Sequence, residues 1–164
     1  MQKTDQSERR KHMVKKELAG KKFGEFEFPV ERGKIKEFAS AILDTDPVYR
    51  DREYALQQGF KDILMPVTFP VTFGFHLPSE NYVVEMAQEI GMDLGKSVHG
   101  EFEVIYERPV CAGETLRGEI GIGNIYEKEG KRGGKMTFVE MKTSFYDQGD
   151  NPVIVINNLF IERG

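Results

Sequence analysis

The first ordered signal in the chain is an alternation: Phe26, Phe28 and Val30 are interleaved with Glu25, Glu27 and Pro29, the period of a short strand with one buried face. From Lys34 to Leu43 the period lengthens. Ile35, Phe38, Ala39 and Ile42 recur at helical spacing, and Pro47 closes that helix within a few residues. A second short helix is predicted around Arg52 to Gln58, with Gly59 as its C-terminal cap. Met65 to Leu77 is apolar but broken by Pro66, Pro70 and Gly74, which predicts a buried, irregular approach. Ser79 then caps a predicted helix from Glu80 to Ile90 that ends at Gly91, with Val83, Val84, Ala87 and Ile90 on one side.

Strand periods dominate the rest. Phe102, Val104 and Tyr106 alternate with Glu101, Glu103 and Glu107, and the run stops at Pro109 and Cys111-Ala112-Gly113. Leu116, Ile120 and Ile122 begin a further strand that reaches Tyr126, and the glycines between Lys128 and Lys135 predict a hairpin loop. Met136 to Tyr146 and Val153 to Ile161 complete the set, joined by a polar turn. Consecutive strands with short turns pair antiparallel, so the fold class is α+β: one curved sheet with helices on one face, the helix ending at Ile90 being the candidate central helix.

A chain of 164 residues holds one ordinary domain. The domain is expected over residues 18–164, preceded by a polar extension over 1–17. The net charge of −4 lacks the basic stripe of a nucleic-acid binder, and no apolar run approaches the ~20 residues of a membrane span. The first residues are charged and have no apolar signal-peptide core, so a cytoplasmic location is expected. Cys111 is the single cysteine and the three histidines are scattered, which argues against an intrachain disulfide or a metal site. No Gly-x-Ser-x-Gly elbow, phosphate loop or dinucleotide fingerprint is present, and no cofactor is expected.

Five blocks carry a resemblance. They are Arg32-Gly33-Lys34-Ile35-Lys36-Glu37-Phe38-Ala39, the segment Phe38 to Asp51, Met65-Pro66-Val67-Thr68-Phe69, the stretch from His99 to Val110, and Gly133-Gly134-Lys135-Met136-Thr137-Phe138-Val139. In this order they resemble the MaoC-like dehydratase N-terminal family, over about Leu18 to Arg163. The resemblance implies a hot-dog fold, with a curved antiparallel sheet wrapped around a central helix. It also implies hydration or dehydration of acyl thioesters carried by CoA or an acyl carrier protein. Catalytic relatives have a stretch Gly-Asp-x-Asn-Pro-aliphatic-His whose Asp and His handle the water and the proton. Here Asp44 stands at the Asp position, Pro47 and Val48 follow in register, and Tyr49 occupies the His position. Phenol, with a reference pKa near ~10, is a poor base at neutral pH, where imidazole at ~6.5 is poised. The segment Met65, Pro66, Val67, Thr68 and Phe69, implied to bind substrate, has Pro and Val where active relatives place His-Gly before the oxyanion donor.

Chains with such substitutions resemble the non-catalytic partner in heterodimeric (3R)-hydroxyacyl-thioester dehydratases. The first reading is therefore an acyl-thioester-binding subunit, homodimeric alone and able to pair with a catalytic MaoC-like chain. Two alternatives stand beside it: a self-sufficient homodimeric hydratase using Asp44 and Tyr49, and a hot-dog protein of another activity, such as a thioesterase. Asp44 and Tyr49 are expected at the mouth of a groove beside the central helix.

Plain structural roles account for the remaining candidates. Asp44 and Asp46 can cap the turn before Pro47. His99 is expected on the polar side of its strand with Glu101 and Glu103, His76 partly buried between Phe75 and Leu77, and His12 in the extension. Lys131, Arg132 and Lys135 suit a solvated hairpin tip, or a phosphate or the acidic surface of a carrier protein. Phe69, Phe73, Phe75 and Tyr82 suit core or an acyl channel.

Overall fold

The structure is a computed structural model that describes residues 14–130 and 134–164. Residues 1–13 of the expected extension, with His12, and the hairpin residues Lys131 and Arg132 lie outside the described residues. The strands are β1 (Lys22–Pro29), β2 (Ser97–Tyr106), β3 (Thr115–Glu129), β4 (Lys135–Tyr146) and β5 (Pro152–Arg163). The helices are α1 (Arg32–Ala41), α2 (Arg52–Gln57) and α3 (Tyr82–Ile90), with 3-10 turns at Lys16–Leu18, Pro47–Tyr49, Phe69–His76 and Leu94–Lys96.

The strands form one five-stranded sheet in the order β1-β3-β4-β5-β2. Every pairing is antiparallel, so the fold is the expected α+β hot-dog domain. The inner face of the sheet supplies the core: Phe28, Leu116, Phe145, Ile154 and Ile156 are buried together with Ile35 of α1 and Ile63. Phe145 lies edge-on to Phe28 with ring centroids 5.3 Å apart. A second cluster joins Ala87 and Ile90 of α3 to Ile122 and Val139 of the sheet. Val14 is buried in this second cluster, and the backbone N–H of Lys15 donates to the carbonyl of Ile90 at 2.8 Å. Packing therefore begins before Leu18.

Several local expectations are corrected. α3 starts at Tyr82 rather than Glu80, because Ser79 is spent on a turn: its Oγ accepts from Asn81 N and donates to Glu85 Oε1. Its buried face is Met86, Ala87 and Ile90, while Val83 and Val84 are exposed. α1 ends at Ala41, and Leu43 takes a left-handed conformation with φ 59° and is exposed. The run from Phe69 to His76 is regular, a sequence of 3-10 turns. His99 is also displaced. A register shift at Gly100 in the β2·β5 ladder moves its ring onto the face of Phe102 and Asn158, opposite to Glu101 and Glu103. The ring stacks on Phe160 with centroids 5.1 Å apart, and Nε2 lies 3.0 Å from Asn158 Oδ1.

Candidate functional site

The segment between α1 and α2 is built from turns that its own carboxylates close. Asp44 Oδ1 accepts the backbone N–H of Asp46 at 3.0 Å, and Asp46 Oδ1 accepts that of Val48 at 2.9 Å. With Pro47 opening the 3-10 turn, these bonds fix the chain where the sequence offers acid groups and a preset φ. Arg50 ties the loop from outside: Nη2 donates to the Asp44 carbonyl at 2.7 Å and Nη1 to Ser40 Oγ at 2.9 Å. Asp44 keeps one carboxylate oxygen outside the turn, and its side chain is half-buried.

Tyr49 is half-buried against the main core, near both acids. Burial first, then the charges of Asp44 and Asp46, hold its phenol above the ordinary tyrosine range. At neutral pH it is a hydrogen-bond donor, not a base.

The segment Met65 to Phe69 reaches the same region from the other side. Leu64 N donates to the Val48 carbonyl at 3.0 Å, and Met65 N to that of Val110 at 2.9 Å. Met65, Pro66 and Phe69 are buried, whereas Val67 and Thr68 are exposed. Among the described residues, the backbone N–H groups of Val67 and Thr68 donate to no protein acceptor. The link between the two segments is Tyr106 of β2. Its hydroxyl donates to the Val67 carbonyl at 2.9 Å. Burial, and then the neighbouring Tyr49, raise its pKa well beyond the ordinary phenol range. Asp44, Tyr49, Tyr106 and Val67 thus form one continuous neighbourhood. Tyr106 has only its place in an alternating strand to mark it in the sequence, though a tyrosine on the inward side needs a partner for its hydroxyl.

Neither Asp44 nor Tyr49 lines any of the concavities described for this surface. The most apolar of these is a groove of about 430 Å³ between α1 and the Phe69–His76 turns, where Phe38, Ala41, Phe69, Phe75 and His76 meet. Of the residues expected to bind substrate, Phe69 alone reaches it, and Lys34 and Glu37 stand at its rim. His76 is half-buried and lies edge-on to Phe28 with centroids 5.2 Å apart. Phe73 belongs to the core beside Phe26, and Phe75 is 89% exposed. Lys135 pairs with Glu127 at 2.5 Å. Among the described residues no cluster of His, Cys, Asp and Glu has the geometry of a metal site, and no helix is long and apolar enough to cross a membrane.

Comparison with known proteins agrees with this architecture. A UPF0336 protein of Saccharopolyspora erythraea is 31% identical over 84% of this chain and 83% of its own length. A second UPF0336 protein, from Streptomyces avermitilis, is 34% identical over 80% of this chain and 83% of its own. Among solved structures, the ChsH1-ChsH2 complex of Mycobacterium tuberculosis superposes with a TM-score of 0.69 at 18% identity, covering 88% of this chain and 85% of that one. The HadBC (3R-hydroxyacyl-ACP dehydratase) complex of the same organism gives 0.65 at 18% identity, covering 85% and 92%. The R-hydratase PhaJ1 of Pseudomonas aeruginosa gives 0.57 at 17%, covering 88% and 81%. These likenesses establish the fold. The profile of the FAS1-like, dehydratase domain region matches residues 17–155, and the chain belongs to that family.

Proposed function

We propose that this chain is the acyl-thioester-binding subunit of a (3R)-hydroxyacyl-thioester dehydratase or (R)-specific enoyl-thioester hydratase, and that the proton chemistry belongs to a partner hot-dog chain. One observation carries the reading: the position that needs a base near neutrality holds Tyr49, a half-buried phenol that burial and two nearby carboxylates keep protonated. Hydration of an enoyl thioester requires a group that takes a proton from water as oxygen bonds to the β-carbon, and a group that delivers a proton to the α-carbon. Asp44, already engaged in the turn before Pro47, has no imidazole to share that work.

Binding is better provided for. The exposed, unengaged N–H groups of Val67 and Thr68 are donors for a thioester oxygen, and the apolar groove beside α1 has a volume within the range of small-molecule sites. Dimeric assembly and a cytoplasmic location belong to the same reading, and two of the similar structures are complexes whose names join two components.

The test is an assay of the purified chain with crotonyl and longer enoyl thioesters. Turnover is expected to be marginal, because the missing acid/base contribution is worth about 10²–10⁴-fold. Tyr49→His alone does not restore it, since the Met65 to Phe69 segment also departs from the active pattern. Adding a hot-dog chain with an intact Asp and His gives turnover that depends on that chain's residues and little on Asp44. The proximity of Asp44 to Tyr49 favours one rival, the self-sufficient hydratase. Robust activity of the chain alone, abolished by Asp44→Asn or Tyr49→Phe, establishes that rival instead.

A further inference from the structure

The stretch from Phe69 to Leu77 reads as three triplets, Phe-Pro-Val, Thr-Phe-Gly and Phe-His-Leu, and its 3-10 geometry turns each triplet position into a row. A 3-10 turn takes three residues, so side chains three apart eclipse one another. The row of Pro70, Phe73 and His76 packs inward: Pro70 is buried, Phe73 stacks near Phe26 with centroids 5.8 Å apart, and His76 lies against Phe28. The row of Phe69, Thr72 and Phe75 lines the groove of about 430 Å³ beside α1. The row of Val71, Gly74 and Leu77 lines a different concavity, of about 490 Å³, against the start of α3, and Phe75 borders that one too. An α-helix, at about 3.6 residues per turn, would scatter all three rows.

The row facing α1 changes along its length. At the inner end Phe69 is 4% exposed and meets Phe38 edge-on with centroids 5.3 Å apart. Thr72 spends its hydroxyl on the Phe69 carbonyl at 2.8 Å, which leaves its methyl group for the groove. At the outer end Phe75 is 89% exposed. Its backbone is fixed by Phe73 and His76 in the core, and a Cβ built on Gly74 would meet nothing within 4 Å, so the ring has open space beside it. Covering that ring with an apolar surface is favourable, and the row offers none until a ligand lies along it.

The unengaged N–H groups of Val67 and Thr68 directly precede Phe69, so a thioester oxygen held there starts its acyl chain at the inner end of the row. Steps of about 2 Å per residue put Phe75 about 12 Å farther on. A butyryl or crotonyl chain, with three C–C bonds of about 1.5 Å, ends short of it, and a dodecanoyl chain reaches it. We infer that Phe75 sets the acyl length this chain accepts: its ring folds over the far end of a long chain lying along Phe69, Thr72 and Phe75, and finds nothing to cover on a short one. The inference rests on the reading of this chain as an acyl-thioester-binding subunit, and it names the substrate class, long-chain acyl thioesters.

The probes are butyryl-CoA and dodecanoyl-CoA, which carry no double bond to hydrate, so binding is read apart from activity. In calorimetry the wild-type chain is expected to bind dodecanoyl-CoA at least about tenfold more tightly than butyryl-CoA. Phe75→Ala is expected to weaken dodecanoyl-CoA by about tenfold or more, while butyryl-CoA binding and the unfolding midpoint stay unchanged, because the ring stands in solvent in the free chain. The chain has no tryptophan, so Phe75→Trp places a single reporter on the row. Its emission should shift to the blue and resist acrylamide quenching with dodecanoyl-CoA, and stay the same with butyryl-CoA. A length preference that Phe75→Ala leaves intact overturns the inference and keeps the subunit reading. Emission already shielded without ligand also overturns it, and assigns the ring to a contact between copies. Failure of both thioesters to bind overturns the subunit reading, and this inference with it.

Discussion

At the scale of single residues, Asp62 does the most with one side chain. It is 8% exposed and receives Arg32 Nε on Oδ1 at 3.0 Å, Arg32 Nη2 on Oδ2, Arg52 Nε on Oδ2 at 3.2 Å and the backbone N–H of Ile63 at 2.7 Å. The Arg32 guanidinium foremost, against the opposing effect of burial, and then the Ile63 N–H and Arg52, hold its pKa down to about 2. The first turns of α1 and α2 are thereby tied to one buried carboxylate. Asp62→Asn is expected to lower unfolding stability by about 1–3 kcal/mol at pH 7, since charge-assisted bonds become neutral ones. The sign with pH follows from the depressed pKa. The contribution is fully present above the ordinary value of 3.8 and is lost as pH falls through about 2, so urea curves of wild type and variant converge in acid. Tyr106 and Tyr49 titrate in the other direction. A spectrophotometric titration of the phenols is expected to show the highest-titrating one vanish in Tyr106→Phe, and that variant loses about 0.5–1.5 kcal/mol with the bond to the Val67 carbonyl.

Between elements, the joint of β1 with β3 depends on a missing side chain. Phe26 faces Gly118 across the ladder, and a Cβ on Gly118 would stand 2.1 Å from the Phe26 ring. The ring also lies edge-on to Phe145 at 5.8 Å and stacks near Phe73, which leaves it little room to turn. Gly118→Ala is therefore expected to cost about 1–3 kcal/mol, read as a lower thermal midpoint, and Phe26→Leu in the same chain to recover part of it. The strands were legible because alternation survives in a sheet with one solvated face: Leu116, Ile120 and Ile122 are buried as their spacing demands. Two elements hid their orientation. α3 carries apolar residues at 82, 83, 84, 86, 87 and 90, too broad a set for periodicity to say which side the sheet covers. In β2 the count of two carried His99 to the wrong face, because the register shift at Gly100 inserts a residue. The glycine inside a strand pattern was the available signal. Asp44 and Asp46 show the converse, since short acidic side chains before a proline state their turn locally.

For the whole molecule, two ladders between consecutive strands, β3·β4 and β4·β5, and two between sequence-distant ones, β1·β3 and β2·β5, hold the sheet together, but the far side of α3 is closed by the chain's first described residues. Val14 fills the cluster of Ala87, Ile90, Met92, Ile122 and Val139, and Lys15 N caps the Ile90 carbonyl. Lys16 reaches Glu127 of β3 at 2.7 Å, and Lys21 pairs with Glu89 of α3. Periodicity could not assign residues 14–17 to the domain, because a single apolar residue among lysines has no period; its burial is decided by what α3 and the sheet leave open. A chain shortened to begin at Leu18 loses the Val14 side chain and the bond at the C-terminal end of α3. The expected cost is about 2–4 kcal/mol, from burial of one Val-sized side chain and one backbone hydrogen bond. A chain shortened to begin at Val14 keeps those contacts, so the difference in unfolding free energy between the two shortened chains reports on residues 14–17. Amide exchange separates this from general destabilisation. In the chain beginning at Leu18, protection should fall first in α3 and in β3 near Ile122, while the β4·β5 ladder between Thr143 and Ile156 keeps its protection. Equal stability of the two shortened chains would mean that Val14 adds nothing to the core it enters.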